Sequence, residues 1–274
     1  MKFPSDSNGR IKKVLMYRDP ALEDIAHQLR HHGSGFSVEE IPPMESVTGV
    51  VDPWIQDKLL IGMNRFGVPI AIPDNFPYLY SELAKEMSAK GFLVLFGLPF
   101  FIEGGQVVAS DNFLFTTSPS PESLQSDTYG RRVISIQANA HIDMILTPLE
   151  ETKDGKPVVL VAQSIGITDR DLYANVVEQL KREGFYVDYV PYIPTQTSYY
   201  FSFNNVLIEK YEEDGKIVRR VYMPWYETIP YEFNERAATV YQRYGYTVIP
   251  IRGLDKAASK HGSLRCLTKV LERE

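Results

Sequence analysis

The chain has 274 residues, of which 44% are hydrophobic and 23% are charged, and its formal net charge is −6. This composition is typical of a globular protein with a sizeable core, and it excludes disordered and fibrous classes. The acidic balance disfavours nucleic acid as a partner and suits a small cationic substrate. Since no apolar run reaches the length of a membrane span, no membrane partner is expected.

The chain has a single cysteine, Cys266. One cysteine cannot form an internal disulfide, and the first residues lack the apolar segment of a signal peptide. We therefore expect a cytoplasmic protein.

One local pattern recurs along the chain: a helix-like amphipathic stretch ends at a glycine, and an apolar strand-like run follows. Glycine readily adopts the left-handed conformation that ends a helix. Five copies turn at Gly35, Gly91, Gly130, Gly184 and Gly245. Five α/β units of about 55 residues account for nearly the whole chain. No linker rich in Pro, Gly or Ser interrupts it, so we expect one α/β domain over residues 1–274.

Two Asp-Gly pairs predict tight turns. Asp214-Gly215 lies between two runs of alternating apolar and polar residues, which is a strong signal for a β-hairpin. The similar pair Asp154-Gly155 predicts a second turn.

Four short motifs carry side chains suited to catalysis. In chain order they are residues 54–57 (Trp-Ile-Gln-Asp), 103–105 (Glu-Gly-Gly), 141–143 (His-Ile-Asp) and the segment around Cys266. Residues at comparable places in successive units converge if the units circle an axis. The sequence therefore predicts one site built from distant segments, with a thiol, an imidazole and carboxylates.

Each of these residues also has an ordinary structural interpretation. A lone cysteine is commonly buried in the core, and an aspartate such as Asp57 commonly lies in a turn or caps a helix. If residues 141–143 are extended, His141 and Asp143 face one side while Ile142 packs behind them. His141 in such a strand can also be a simple hydrogen-bonded histidine. Only the four motifs taken together, in this order, favour a catalytic site over these structural interpretations.

That ordered set resembles the pentein, or guanidino-group-modifying, superfamily. Its members include arginine, agmatine and peptidyl-arginine deiminases, dimethylarginine hydrolases and amidinotransferases. The resemblance covers roughly residues 50 to 270, and it implies a five-bladed α/β propeller. It implies no cofactor and no metal, and a homodimer is the default expectation for such enzymes.

The resemblance also implies a role for each residue. Cys266 would attack the guanidinium carbon, and His141 would move protons. Asp57 and Asp143 would hold the guanidinium, while Glu103 would orient His141 or share the cation. Trp54 is a candidate wall of the substrate site.

Three departures from the family pattern leave the substrate open. Gln56 replaces the usual arginine, residues 58–60 replace a Gly-Pro, and the glycine-rich approach to the cysteine is reduced to Gly262. The favoured activity is a deiminase that releases ammonia. The alternatives are an amidinotransferase, a non-catalytic protein like the ribosome anti-association factors of similar fold, and an unrelated α/β protein. A substrate carboxylate could be received by Arg131, Arg132, Arg252 or Arg265.

Overall fold

The structure is a computed structural model that describes residues 3–43, 53–73, 80–95, 103–117, 130–138, 140–165, 173–194 and 200–274. No helix within these ranges is long and apolar enough to cross a membrane.

Five small sheets organise the described residues. The first eight strands are β1 (Ile11–Tyr17), β2 (Ser37–Ile41), β3 (Leu59–Met63), β4 (Pro69–Pro73), β5 (Leu93–Val94), β6 (Val107–Ala109), β7 (Phe113–Thr116) and β8 (Arg132–Ser135). The remaining strands are β9 (Leu146–Lys153), β10 (Lys156–Ser164), β11 (Tyr186–Pro194), β12 (Tyr200–Ser202), β13 (Leu207–Glu213), β14 (Lys216–Pro224), β15 (Thr247–Ile251) and β16 (Lys269–Arg273). Their orders are β16-β1-β2, β3-β4-β5, β6-β7-β8, β12-β11-β10-β9 and β13-β14-β15.

Every sheet contains the same unit, in which an antiparallel pair is followed by a parallel strand. A parallel neighbour needs a crossover, which a helix supplies. The crossover helices are α1 (Glu23–His32), α3 (Tyr80–Ala89), α4 (Ala174–Arg182) and α5 (Tyr231–Arg243), and two further short helices are α2 (Ile55–Lys58) and α6 (Asp255–Ala258). The crossover of the third unit, residues 118–129, lies outside the described residues, and so does most of the helical stretch predicted there.

The five glycines predicted to turn each helix into a strand all have a positive φ, between 80° at Gly245 and 92° at Gly184. Only glycine adopts this conformation without a steric penalty. The prediction of five α/β units is therefore confirmed, with the third helix untested.

The predicted hairpin at Asp214-Gly215 is present, and the second predicted turn, at Asp154-Gly155, also joins an antiparallel pair. Asp214 and Gly215 have φ values of 52° and 73° between β13 and β14, and Asp154 and Gly155 have 53° and 74° between β9 and β10. Two consecutive residues of positive φ fit the right-handed twist of the flanking strands.

The first sheet joins distant parts of the chain. β16 pairs antiparallel with β1, with Lys269 opposite Leu15, while β2 pairs with the other edge of β1. The segment that carries Cys266 leads directly into β16, so this pairing holds it against the first sheet.

Candidate active site

Four different sheets contribute to one cluster of polar side chains. Asp57 lies on α2 just before β3, and Glu103 precedes a short 3-10 turn that leads into β6. His141 precedes a second 3-10 turn, which contains Asp143 and leads to β9. Cys266 lies in the turn before β16. The structure brings these five side chains together in one cluster.

His141 lies between two carboxylates. Its Nε2 is 2.7 Å from Oε2 of Glu103, and its Nδ1 is 3.5 Å from Oδ1 of Asp57. The predicted extended conformation of residues 141–143 is wrong beyond His141, because residues 142–144 form a 3-10 turn. Ile142 is nevertheless fully buried behind the site, as predicted.

The glycine pair after Glu103 allows this close packing. The Gly105 N–H donates to Oδ1 of Asp57 at 3.0 Å. A Cβ at Gly105 would lie 2.4 Å from Nδ1 of His141, and one at Gly104 would lie 1.9 Å from the Gln56 carbonyl oxygen. Because real Cβ contacts are never this short, side chains at these two positions would displace the histidine and the aspartate.

Cys266 is buried, with 3% of its surface exposed, and Asn205 holds it from two sides. The Asn205 side-chain amide donates to Sγ at 3.2 Å, and its Oδ1 accepts the Cys266 N–H at 3.1 Å. The thiol also lies 3.9 Å from Oδ2 of Asp143. The Asn205 amide therefore fixes the position of the sulfur, and the sulfur faces the Asp143 carboxylate.

Arg265 occupies one side of the Asp143 carboxylate. Its guanidinium donates to Oδ2 of Asp143 at 2.7 Å, to Oδ1 of Asp6 at 3.1 Å and to the Val107 carbonyl at 3.0 Å. The other Asp143 oxygen, Oδ1, is buried and accepts no hydrogen bond from the described residues. Asp143 thus presents one free acceptor in the site.

The carboxylates and the imidazole shift one another's proton affinity. Burial lowers the pKa of His141, but the hydrogen bond to Glu103 and the charges of Asp57 and Asp143 outweigh it and raise the pKa to about 9. Burial, together with the charges of Asp143 and Glu103, raises the pKa of Asp57 to about 6, against the opposing charge of His141. His141 is therefore an imidazolium at neutral pH.

The thiol is kept protonated. Burial first, and then the charges of Asp143 and Asp57, raise the pKa of Cys266 well above its usual value. The nearby carboxylates therefore oppose the thiolate, although burial is the larger cause. A cation bound among these carboxylates would favour ionisation of the thiol.

Trp54 lies beside the cysteine segment. A Cβ at Gly262 would come within 2.5 Å of its ring, so the ring packs directly on the backbone that leads to Cys266. The ring is partly buried and packs against the largest apolar cluster. Within the described ranges, no three His, Cys, Asp or Glu side chains are grouped closely enough to hold a metal ion.

The arginines considered as receptors of a substrate carboxylate are engaged elsewhere. Arg131 donates to the carbonyls of Phe3 and Asp111, Arg132 pairs with Glu183, and Arg252 lies 3.8 Å from Glu227. Arg265 is in the site but pairs with Asp143 and Asp6.

Sequence reasoning missed two polar partners of the cluster. Asn205 was assigned no place in the site, and nothing in the sequence distinguishes Asp6 from other aspartates. Both are defined by tertiary contacts: Asn205 lies 61 residues from Cys266 and Asp6 lies 259 residues from Arg265.

No protein-family model matches the sequence, and no curated protein matches it either. Solved structures do match along nearly the whole chain. An agmatine deiminase from C. jejuni has a TM-score of 0.68 at 14% identity, over 100% of this chain and 96% of its own. An agmatine deiminase from Enterococcus faecalis has 0.66 at 12% identity, over 99% and 96%. An amidinotransferase of saxitoxin biosynthesis from Microseira wollei has 0.64 at 16% identity, over 100% and 97%.

Proposed function

Because the chain has the pentein fold, with the five-unit α/β arrangement of guanidino-modifying enzymes, we propose that it is a cysteine-dependent deiminase of a small guanidino compound. The substrate class is arginine, agmatine or a derivative of either. The observation that carries the proposal is the buried Oδ1 of Asp143, which has no donor among the described residues, in a carboxylate whose other oxygen, Oδ2, lies 3.9 Å from Sγ of Cys266. A buried acceptor without a donor is costly, and a bound N–H group removes that cost.

A guanidinium suits this site by charge and by shape. It is a planar cation with several N–H donors, and carboxylates bind it in its plane. Asp143 already binds one guanidinium, that of Arg265, through Oδ2. In the proposal, Asp57 and the free Oδ1 of Asp143 bind the substrate cation, and its central carbon faces Sγ of Cys266.

The first half of the reaction uses His141 as an acid. Cys266 loses its proton to solvent once the substrate charge is in place, and its sulfur forms a bond to the guanidinium carbon while one carbon–nitrogen double-bond pair moves onto nitrogen. His141 is not hydrogen-bonded to Cys266, since its partners are Glu103 and Asp57. In the proposal, His141 gives its proton to the departing nitrogen, ammonia leaves, and an amidino-thioether remains on Cys266.

The second half uses the same histidine as a base. Neutral His141 takes a proton from water, whose oxygen bonds to the amidino carbon. The carbon–sulfur bond then breaks as the remaining hydroxyl proton passes to the sulfur, which releases a ureido product and restores the Cys266 thiol and the His141 imidazolium. Glu103 supports both steps because its hydrogen bond to His141 keeps the imidazole oriented and basic.

The test is ammonia release from arginine, agmatine, methylated arginines and peptidyl-arginine, with and without added amine acceptors. We expect one compound to give ammonia and a ureido product in equal amounts. If an added amine is converted to a new guanidine and no ammonia is released, the activity would instead be that of an amidinotransferase. No product with any compound, from folded protein whose melting temperature no guanidine changes, would contradict both activities.

The protonation of His141 predicts the pH dependence of kcat/KM. Turnover needs the thiolate and the imidazolium together, and the pKa of Cys266 lies above that of His141. The fraction of enzyme in this state therefore increases up to about pH 9, the pKa of His141, and levels off there. We expect kcat/KM to increase about tenfold per pH unit from pH 7 towards that value, which initial rates at low substrate concentration measure.

Glu103→Gln tests the cause of this profile. The amide has no negative charge, so the pKa of His141 falls and the profile levels off at lower pH. An NMR titration of the imidazole reports the same shift without turnover. The control is Glu178→Gln, since Glu178 pairs only with Lys181 on an exposed helix face. An unchanged His141 pKa in Glu103→Gln would rule out this explanation.

A further inference from the structure

A small cavity lies directly behind the site. Its volume is about 40 Å³, and its wall includes Gln56, Gly104 and Arg265. These three residues precede Asp57, Gly105 and Cys266 in the sequence, so the cavity is on the other side of the backbone that carries the site. A cavity of about 10–15 Å³ by this measure already holds one water molecule, so this cavity has room for a particle of at least that size.

Lys269 faces this cavity without a partner. It is only 8% exposed, and within the part of the chain that the structure describes no group accepts a hydrogen bond from its ammonium or pairs with it. Leaving an ammonium buried and unpaired is costly, so its charge needs a counter-charge or its proton must be lost. Burial and the neighbouring charge of Arg265 lower the pKa of Lys269 to about 7, because they outweigh the charges of Asp6, Asp57 and Asp143, which raise it without a direct ion pair.

The other charges on the wall do not supply the missing counter-charge. Arg273 is bonded to backbone carbonyls, those of Asp6, Asn8, Gly9 and Ile208. Asp6 is the single acidic side chain among the residues that line the cavity, and it is hydrogen-bonded to Arg265 and to the Ala109 N–H. Three cationic side chains, Lys269, Arg265 and Arg273, thus share one wall carboxylate, while Asp143 outside the cavity takes part of the Arg265 charge.

We propose that this rear cavity is a binding site for one monatomic anion, a halide such as chloride, held by the ammonium of Lys269. The volume is sufficient for an ion of this size. Arg273 adds a positive field without being neutralised by a carboxylate of its own. The ion would keep Lys269 charged and balance the cations behind the site. This inference does not depend on the proposed reaction.

Bromide is the probe, because it resembles chloride and scatters anomalously. In a thermal unfolding series, sodium bromide is compared with sodium gluconate at equal ionic strength. A ligand at ten times its dissociation constant stabilises the folded state about tenfold, which raises the melting temperature by about 3 °C. We expect this increase in the wild type, its loss in Lys269→Met, and its retention in Lys156→Met, a control at an exposed lysine.

Crystals soaked in bromide give a second readout that does not require a variant to fold. We expect an anomalous peak within hydrogen-bonding distance of Nζ of Lys269. Equal responses of the wild type and Lys269→Met to bromide would overturn the proposal. So would bromide peaks confined to the surface, which would indicate an adventitious ion only.

Discussion

Cys266→Ala is expected to lower turnover of the guanidino substrate by a factor on the order of 10⁴ or more. Cys266 is the chain's only cysteine, and covalent catalysis has no substitute for its sulfur. Asn205 and Asp143, which surround the sulfur, are not nucleophiles that could form an equivalent intermediate. Steady-state ammonia release at saturating substrate measures the effect. A variant with more than about a hundredth of the wild-type rate would contradict the assignment of the nucleophile.

Two companion measurements separate lost chemistry from lost folding. The alanine variant removes one buried acceptor from Asn205, so we expect a stability loss of only about 1–2 kcal/mol and continued substrate binding by calorimetry. Cys266→Ser keeps an acceptor for Asn205 but has a poorer nucleophile, and we expect it to be inactive as well. In wild-type enzyme quenched during turnover, mass spectrometry should find the amidino adduct on the peptide that contains Cys266.

Arg265→Met is expected to lower the free energy of unfolding by about 3–5 kcal/mol. Arg265 is 7% exposed and pairs with two carboxylates at once, those of Asp143 and Asp6. Methionine fills much of the same volume but leaves the fully buried Asp143 without its cationic partner and removes one hydrogen bond from Asp6. Chemical denaturation at neutral pH gives the free energy. A loss below about 1 kcal/mol would show that the Arg265 pairings contribute little.

The control for Arg265→Met is Arg132→Met. Arg132 pairs with Glu183 on the surface, where its side chain is 54% exposed, so this variant should lose less than about 0.5 kcal/mol. The pH dependence gives a further check. Burial raises the pKa of Asp6, but Arg265 and other partners outweigh this and lower it overall. The corresponding stability is present above the usual aspartate pKa and is lost as the pH falls through the lower folded value. The deficit of Arg265→Met should therefore shrink in acid.

The sequence predicted the features that depend on a few neighbouring residues. A glycine after an amphipathic helix was enough to predict the helix-to-strand turns at Gly184 and Gly245. An Asp-Gly pair was enough to predict the hairpin turn at Asp214. The convergence of the site followed from repetition of the unit. Repetition fixes where comparable residues lie even when their side-chain contacts are unknown.

Contacts across the site could not be predicted in this way. Arg265 was one of four arginines considered as receptors of a substrate carboxylate, since the sequence alone does not show which group each arginine contacts. Its partner Asp143 lies 122 residues away. The basicity of His141 was missed for the same reason, since it depends on Glu103 and Asp57 from two other sheets.

The pairing of β16 with β1 also determines the order in which the molecule can be completed during synthesis. Leu15 leaves the ribosome long before Lys269, its partner across the sheet. At ordinary rates of translation the interval is on the order of tens of seconds. Throughout that time the outer edge of β1 has no neighbouring strand, so it is open to association with other nascent chains. The turn that carries Cys266 emerges just before the strand that covers this edge. A growing chain therefore acquires its nucleophile and the cover for its exposed edge almost together.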